Sequence, residues 1–122
     1  MGIMPSALII DDNLINREVS EMYLKSAGYA VTACESGGAG IDKLIEQSFD
    51  VLLLDIHMPG MTGFEVLTYI SSNLERSGMS IVVVTGDDTI TGDDIAPICE
   101  NVTVLYKPVN FDKLASAMKR AA

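Results

Sequence analysis

The chain has 122 residues, of which 48% are hydrophobic, and it carries a formal net charge of −9. This length suits one compact domain with its own core, over residues 1–122, and leaves little room for a second. The acidic balance argues against direct binding of nucleic acid, which requires clustered cations, and favours partners with basic surfaces or bound cations.

The rest of the composition excludes several kinds of site. Two cysteines and one histidine make no credible zinc site, and we expect Cys34 and Cys99 to be buried thiols. The apolar runs are too short to cross a bilayer, and the N-terminus lacks the basic region of a signal peptide. We therefore expect a cytoplasmic domain without membrane contact, although its parent protein could be membrane-bound. Met1–Pro5 is expected to be disordered or a cloning remnant.

Short apolar segments alternate with segments of helical periodicity, which is the pattern of a parallel sheet covered by helices. The predicted strands are Ala7–Ile10, Ala30–Ala33, Val51–Leu54, Ile81–Val84 and Val102–Tyr106. The predicted helices are Leu14–Ala27, Ala39–Gln47, Gly63–Asn73 and Phe111–Arg120, with a short or irregular one inside Asp87–Asn101. The predicted apolar face of the first helix comprises Ile15, Val19, Met22 and Ser26. That of the second comprises Ile41, Leu44 and Ile45.

Polar side chains follow four of the five predicted strands. They are Asp11 and Asp12 after the first, Asp55 after the third, Thr85 after the fourth and Lys107 after the fifth. In an open parallel α/β sheet, ligands bind outside the carboxyl ends of the strands, so these side chains should converge on one edge. Crowded carboxylates would repel one another unless a cation shared the site, and Mg²⁺, or Mn²⁺ in its place, suits a site with few protein ligands.

These residues are the components of a phosphoryl-transfer site. Asp55 would attack as a nucleophile, Thr85 would donate a hydrogen bond, and Lys107 and the metal would neutralise phosphoryl oxygens. Each residue alone also has a structural explanation, Asp11-Asp12 as a helix N-cap and the others as turn or strand-end residues. The combination favours the functional interpretation, because all of them follow strands at ends of the same polarity.

Four motifs in the chain resemble those of the receiver domains of two-component response regulators. In order along nearly the whole chain, they are IIDDN, LLLDIHMPGMTG, VVVTG and LYKP. The resemblance implies a flavodoxin-like, doubly wound α/β fold with a five-stranded parallel sheet in the order 2-1-3-4-5 and about five helices. It also implies a phosphoacceptor and switch that is not an enzyme in its own right, with self-dephosphorylation only.

The same resemblance assigns roles to individual residues. Asp55 would accept the phosphoryl group, Thr85 would be the switch hydroxyl, and Lys107 would contact the phosphate. The metal ligands would be Asp11, Asp12, Asp55 and the backbone carbonyl of His57. The side chains of His57 and Asp87 would border the pocket and influence how long the phosphate survives.

The resemblance also implies partners. The donor would be a phosphohistidine on a histidine kinase or a histidine phosphotransfer domain, and the domain would be a monomer or a phosphorylation-dependent dimer. The spacing of Asn13, Asn16 and Arg17 resembles receivers of hybrid sensor histidine kinases and phosphorelays, so such a kinase is the favoured source. A stand-alone single-domain response regulator is the alternative. The candidate contact surfaces are the first helix and the Asp87–Asn101 segment.

One position departs from the family pattern. The aromatic residue that usually stands three residues before the lysine is replaced by Val104, and the aromatic here is Tyr106, directly before Lys107. Strand alternation places these two side chains on one face, with Tyr106 closer to the site. The usual aromatic switch is therefore an open question. The Lys107–Pro108 bond is expected to be cis.

Three other functions compete with this interpretation. A haloacid-dehalogenase-like phosphatase would carry a second aspartate at the position of His57 and would need space for a cap domain. A flavodoxin would place a phosphate where this chain has Asp11-Asp12-Asn13, whose carboxylates would repel it. A degenerate receiver that acts only as a binding module would lack some of the site residues, all of which are present here.

Overall fold

Residues 4–74 and 78–119 are described by the computed structural model of the chain. The strands are β1 (Ser6–Ile10), β2 (Ala30–Cys34), β3 (Val51–Asp55), β4 (Ser80–Thr85) and β5 (Val102–Tyr106). The helices are α1 (Leu14–Ser26), α2 (Gly37–Glu46), α3 (Gly63–Asn73), α4 (Gly92–Ile95) and α5 (Phe111–Lys119). The predicted alternation is confirmed. The predicted end of the last helix, Arg120, lies outside the described residues.

The five strands form one parallel sheet in the order β2-β1-β3-β4-β5, which confirms the predicted topology. In the ladder, Asp55 pairs with Val84, and Thr85 pairs with Tyr106. Because all strands run the same way, the polar residues that follow them emerge at one edge of the sheet.

Apart from Ser80 at the start of β4, strands β3 and β4 are apolar up to their last residues, as expected for strands whose two faces are both covered by helices. Every residue of β3 and β4 is buried. Polar side chains start the flanking helices: Asn13 caps α1, Ser36 caps α2, and Thr62 and Glu65 form a capping box on α3. These caps fix where each helix leaves the loop that precedes it.

The core consists of two apolar layers, one on each face of the sheet. Alternate residues such as Leu8 and Leu52 pack with α2, α3 and α4. Their neighbours Ile9 and Leu53 pack with α1 and α5 on the other face. Each fully buried side chain of this size stabilises the fold by roughly 1.5–3 kcal/mol relative to exposure. The carboxyl edge of the sheet therefore belongs to a well-packed three-layer sandwich.

The predicted apolar face of α1 does not pack on the sheet. Ile15 is 68% exposed and Met22 is 72% exposed, whereas Ser20 and Leu24 are buried. Ile45 of α2 is likewise 59% exposed. Periodicity identifies an apolar stripe but does not say whether the sheet covers it, so this part of the prediction was wrong. The outcome is an exposed apolar stripe on α1.

The remaining expectations concern short or terminal segments. The predicted irregular helix is only four residues long, Gly92–Ile95, and Pro97 follows it. Cys34 and Cys99 are both buried thiols, as expected. Of the N-terminal segment, Met1–Ile3 lies outside the described residues, and Met4 is exposed ahead of β1. Within the described ranges, no helix is both long and apolar enough to cross a membrane.

Candidate functional site

Three carboxylates meet at the carboxyl edge of the sheet. Asp11 follows β1 directly, Asp12 comes next, and Asp55 is the last residue of β3. Each offers an oxygen atom, and these three atoms all lie within 4.8 Å of one another. Asp11 and Asp55 are 7% and 6% exposed, whereas Asp12 is exposed. The sequence predicted this convergence, and the structure confirms it.

Lys107 brings an ammonium group into this cluster. Its Nζ lies 3.4 Å from Oδ2 of Asp11 and 3.6 Å from Oδ1 of Asp55. Burial raises the pKa of Asp55 to about 6; Lys107 opposes that shift, and the charges of Asp11 and Asp12 add to it. One ammonium group thus compensates three carboxylates only in part, and the site retains an excess of negative charge.

Hydrogen bonds to both the side chain and the backbone of Asp11 hold it in place after β1. The amide of Asn13 donates to Oδ1 of Asp11 at 2.9 Å, and the Asn13 side chain caps α1. The guanidinium of Arg17 donates to the backbone carbonyl of Asp11 at 2.9 Å and lies 3.9 Å from Glu35. Asn13, not Asp11 or Asp12, is therefore the N-cap, which leaves both carboxylates available to the site.

The loops after β3 and β4 meet beside the carboxylates. Nε2 of His57 lies 2.9 Å from Oδ2 of Asp87. Thr89 donates from its amide and its hydroxyl to the other oxygen of Asp87. These hydrogen bonds, first from Thr89 and then from His57, lower the pKa of Asp87 to about 2.

A glycine brings the start of α3 against the end of β3. A Cβ on Gly63 would lie 2.5 Å from the backbone oxygen of Asp55 and 2.8 Å from Cα of Ile56. The Gly63 amide donates to the Ile56 carbonyl at 2.8 Å. Only glycine fits so close to the backbone of the strand end, and this contact fixes the position of Asp55.

One cleft at this edge collects most of the predicted residues. Its lining includes Asp12, Asp55, His57, Asp87 and Lys107. It also includes three residues for which the sequence analysis assigned no place in the site, namely Asn13, Asn16 and Gly86. In the sequence, these residues were marked only by lying within a few positions of a strand end. Many residues lie so close to a strand end, so this feature alone does not identify a site residue.

Three predicted residues do not line this cleft, and the first of them, Asp11, lines an adjoining cavity instead. Thr85 is fully buried, and its Oγ1 accepts a hydrogen bond from the Asp87 amide at 3.1 Å. Tyr106 is 42% exposed, and its hydroxyl donates to the Ile90 carbonyl at 2.6 Å. Val104 packs in the core layer on the face of α4. The Lys107–Pro108 bond is cis, as expected.

The carboxylate cluster has the chemistry of a site for a hard divalent cation. Mg²⁺ binds oxygen ligands, keeps several waters, and needs only one or two carboxylates from the protein. Asp11, Asp12 and Asp55 supply such oxygens at mutually compatible distances. A dication would also relieve the excess negative charge of these carboxylates, two of which are buried.

A comparison with known protein families decides what this arrangement belongs to. Residues 7–119 match the response regulator receiver domain. The chain belongs to this family. The match spans every strand and helix described above apart from the first residue of β1.

Relatives of this receiver domain include parts of larger proteins. It is 29% identical over 113 residues to the sensor histidine kinase AruS of Pseudomonas aeruginosa, covering 91% of this chain and 11% of AruS. The first four curated relatives match the chain over about nine tenths of its length, and the chain spans 11% to 28% of theirs.

Solved receiver structures share the whole fold. The chemotaxis protein CheY4 of Vibrio cholerae superposes with a TM-score of 0.86 at 26% identity, covering 98% of this chain and 100% of that one. The response regulator TrrA of Thermotoga maritima, solved in complex with Mg²⁺-BeF, gives a TM-score of 0.83 at 28% identity, with the same coverage of both chains. Receiver domains of this kind act in two-component signalling.

Proposed function

We propose that this receiver domain accepts a phosphoryl group on Asp55 from a phosphohistidine of a histidine kinase or histidine phosphotransfer domain, in a reaction that depends on Mg²⁺. The observation that carries the proposal is the cluster of Asp11, Asp12 and Asp55 with Lys107 within 3.6 Å of Asp55. The domain acts as a phosphoacceptor and switch, and its only turnover is loss of its own phosphate.

In the transfer, a carboxylate oxygen of Asp55 forms a bond to phosphorus as the N–P bond of the phosphohistidine breaks. The released imidazole nitrogen takes up a proton from solvent. Asp11, Asp12, Asp55 and the His57 backbone carbonyl would hold Mg²⁺, which when bound supplies positive charge beside the phosphoryl oxygens. Lys107 supplies a second positive charge, since its Nζ already lies beside the attacking carboxylate.

Thr85 would be the switch residue, whose hydroxyl responds to the phosphoryl group. Its hydroxyl oxygen accepts from the Asp87 amide in this structure, and its hydroxyl proton is available to a phosphoryl oxygen once the β4–α4 loop rearranges. Tyr106 contacts the Ile90 carbonyl of that same loop. A shift of Thr85 towards the phosphate would therefore change the position of Tyr106. Tyr106 would then serve as the switch aromatic, a role that usually belongs to a residue three positions before the lysine.

The exposed stripe of α1 is the proposed docking surface of the donor. It consists of Leu14, Ile15, Val19 and Met22, which are 46% to 72% exposed. Because α1 starts at the cleft, a donor helix laid on this stripe would bring its histidine over Asp55. The acidic charge of the chain favours a donor whose surface is basic around the histidine.

The sequence and the relatives together support a proposal for the source of the domain. We favour a hybrid sensor histidine kinase in the cytoplasm, because a relative such as AruS contains a segment of this kind within a much longer chain. A stand-alone response regulator is the alternative, supported by the complete coverage of CheY4. The same proposal includes a domain that is a monomer or a phosphorylation-dependent dimer and that makes no direct contact with nucleic acid or membrane.

Intact mass after treatment with acetyl phosphate and Mg²⁺ tests phosphorylation. We expect the mass of one added phosphoryl group, no gain in Asp55→Asn, and an unchanged gain in the matched control Asp42→Asn on an exposed face of α2. Chelation of the metal should abolish the gain. Absence of a gain in the unmodified protein would overturn the proposal, and steady turnover of p-nitrophenyl phosphate would favour the phosphatase alternative.

A second experiment isolates the docking surface. Met22→Glu should slow transfer from a phosphorylated histidine phosphotransfer domain, whereas phosphorylation by acetyl phosphate should proceed at the unmodified rate. Ile45→Glu, an equally exposed apolar position on α2, is the control and should affect neither. Equal transfer rates for both variants would exclude the α1 stripe as the docking surface.

A further inference from the structure

A cavity of about 250 Å³ lies between α1 and the segment that joins β5 to α5. Its apolar walls come mainly from the sheet and from that segment, and include Ile9, Leu53, Val84, Val109 and Phe111. The cavity is reached from the surface where Val19, which is 46% exposed, and the exposed Pro108 border it. This recess adjoins the open cleft and shares Asn16, Asp55 and Lys107 with the lining of that cleft.

One buried hydroxyl in this cavity has no hydrogen bond partner among the described residues. Ser20 of α1 is only 8% exposed, lines the cavity, and its Oγ takes part in none of the side-chain hydrogen bonds of the described ranges. Asn16, one helical turn earlier, lines the same cavity, and its side-chain amide is likewise unpartnered within the described part of the chain. A buried polar group without a partner is costly, so a ligand that satisfied it would bind more tightly.

The shape and the charge of the cavity restrict what it can take. An apolar cavity of about 150 Å³ holds a benzene ring, so a cavity of about 250 Å³ has room for one ring with a substituent. Asp11, Asp55 and Lys107 also line the cavity, and two carboxylates against one ammonium group disfavour an anion. Ser20 and Asn16 supply hydrogen-bond donors and acceptors to a hydroxyl or amino group.

We propose that this cavity binds a small ring compound that carries a hydroxyl or amino group and no negative charge, with the ring against Leu53, Val84 and Phe111 and the polar group on Ser20. The proposed contacts of the ring and its polar group do not involve Asp55, although Asp55 lines the same cavity. Binding is measured without Mg²⁺ and without a phosphodonor, so failure of the phosphorylation proposal would leave this one untouched.

Three probes with the same ring test the proposal, namely phenol, toluene and benzoate, followed by amide chemical shifts in two-dimensional nuclear magnetic resonance spectra. We expect saturable binding of phenol with a dissociation constant of about 1 mM. Toluene should bind roughly 3-fold to 10-fold more weakly, since it offers no hydrogen bond to Ser20. Benzoate should bind more weakly than either. The shifts should map to α1 and to the segment between Lys107 and Phe111.

Variants at Ser20 distinguish the contribution of the Ser20 hydrogen bond to binding from that of the cavity volume. Ser20→Ala keeps the space and a good helix former, so phenol should lose its preference over toluene while toluene binds as before. Ser20→Leu fills the cavity and should abolish binding of both, whereas Ser72→Leu, the same change on an exposed face of α3, should have no effect.

Two outcomes would overturn the proposal. One is the absence of saturable binding by any probe, which would mean that the cavity holds only water. The other is a preference for phenol that survives in Ser20→Ala. Because alanine is tolerated inside helices, this variant remains informative even if Ser20→Leu fails to fold.

Discussion

Nε2 of His57 lies 2.9 Å from Oδ2 of Asp87, so the loop after β3 and the loop after β4 are joined directly beside the carboxylate cluster. Both side chains line the same cleft as Asp55. The family resemblance had placed both side chains at the border of the pocket, each two positions beyond a site residue, but it did not predict the hydrogen bond between them.

Loss of this contact should shorten the life of the phosphorylated state. We expect His57→Ala or Asp87→Ala to speed dephosphorylation about five-fold, since an exposed hydrogen bond worth about 1 kcal/mol no longer holds the loops over the phosphate. Decay of the phosphorylated mass after removal of acetyl phosphate measures the rate. Asp88→Ala, an exposed neighbour of Asp87, is the control, and an equal effect there would show that the pair does not matter.

The raised pKa of Asp55 makes a prediction about stability and pH. Burial moves this pKa from 3.8 to about 6, so between those values the folded protein binds more protons than the unfolded chain. Stability therefore falls as pH rises through that window, by about 3 kcal/mol at 1.36 kcal/mol per unit.

Asp55→Asn should remove this pH-dependent loss of stability, because asparagine does not ionise. Denaturant unfolding in the presence of chelator should show Asp55→Asn more stable than the unmodified protein by about 2–3 kcal/mol at pH 7.5, with the difference vanishing below pH 4. Asp42→Asn, on an exposed face of α2, should show no such pH-dependent difference. A constant difference between the two proteins at all pH values would contradict the assigned pKa.

Mg²⁺ should stabilise the folded domain through the carboxylates. At ten times its dissociation constant, an ion that binds only the folded state adds about 1.4 kcal/mol to the free energy of unfolding. Thermal unfolding with and without Mg²⁺ should show this gain in the unmodified protein and in Asp42→Ala. It should be lost in Asp12→Ala, whose exposed side chain contributes little to packing. A full gain in Asp12→Ala would exclude Asp12 as a ligand.

The close approach of Gly63 to the end of β3 predicts opposite effects for two glycine substitutions. Gly63→Ala should lower the free energy of unfolding by about 1–3 kcal/mol, because the added Cβ would lie 2.5 Å from the Asp55 backbone oxygen. Gly38→Ala, in α2 with open space around its Cβ position, should raise it by up to about 1 kcal/mol. Denaturant unfolding measures both. Phosphorylation should slow only in Gly63→Ala.

The sequence by itself determined the order of elements and the edge at which the site forms. Its wholly apolar strands require helices on both faces, and parallel strands bring Asp11, Asp55 and Lys107 to one edge whatever the details of packing. That is why the carboxylate cluster could be predicted from residue types and spacing.

Only the tertiary structure decided which face of each helix packs against the sheet and which loops contact one another. The rotation of α1 about its own axis leaves Met22 in solvent and buries Ser20 on the side of α1 that faces the sheet. This rotation depends on how the side chains of all the elements pack together, and the periodicity of one helix does not determine it. The pairing of His57 with Asp87 and the burial of Thr85 likewise depend on the paths of loops, whose conformations are selected by contacts made across the whole fold.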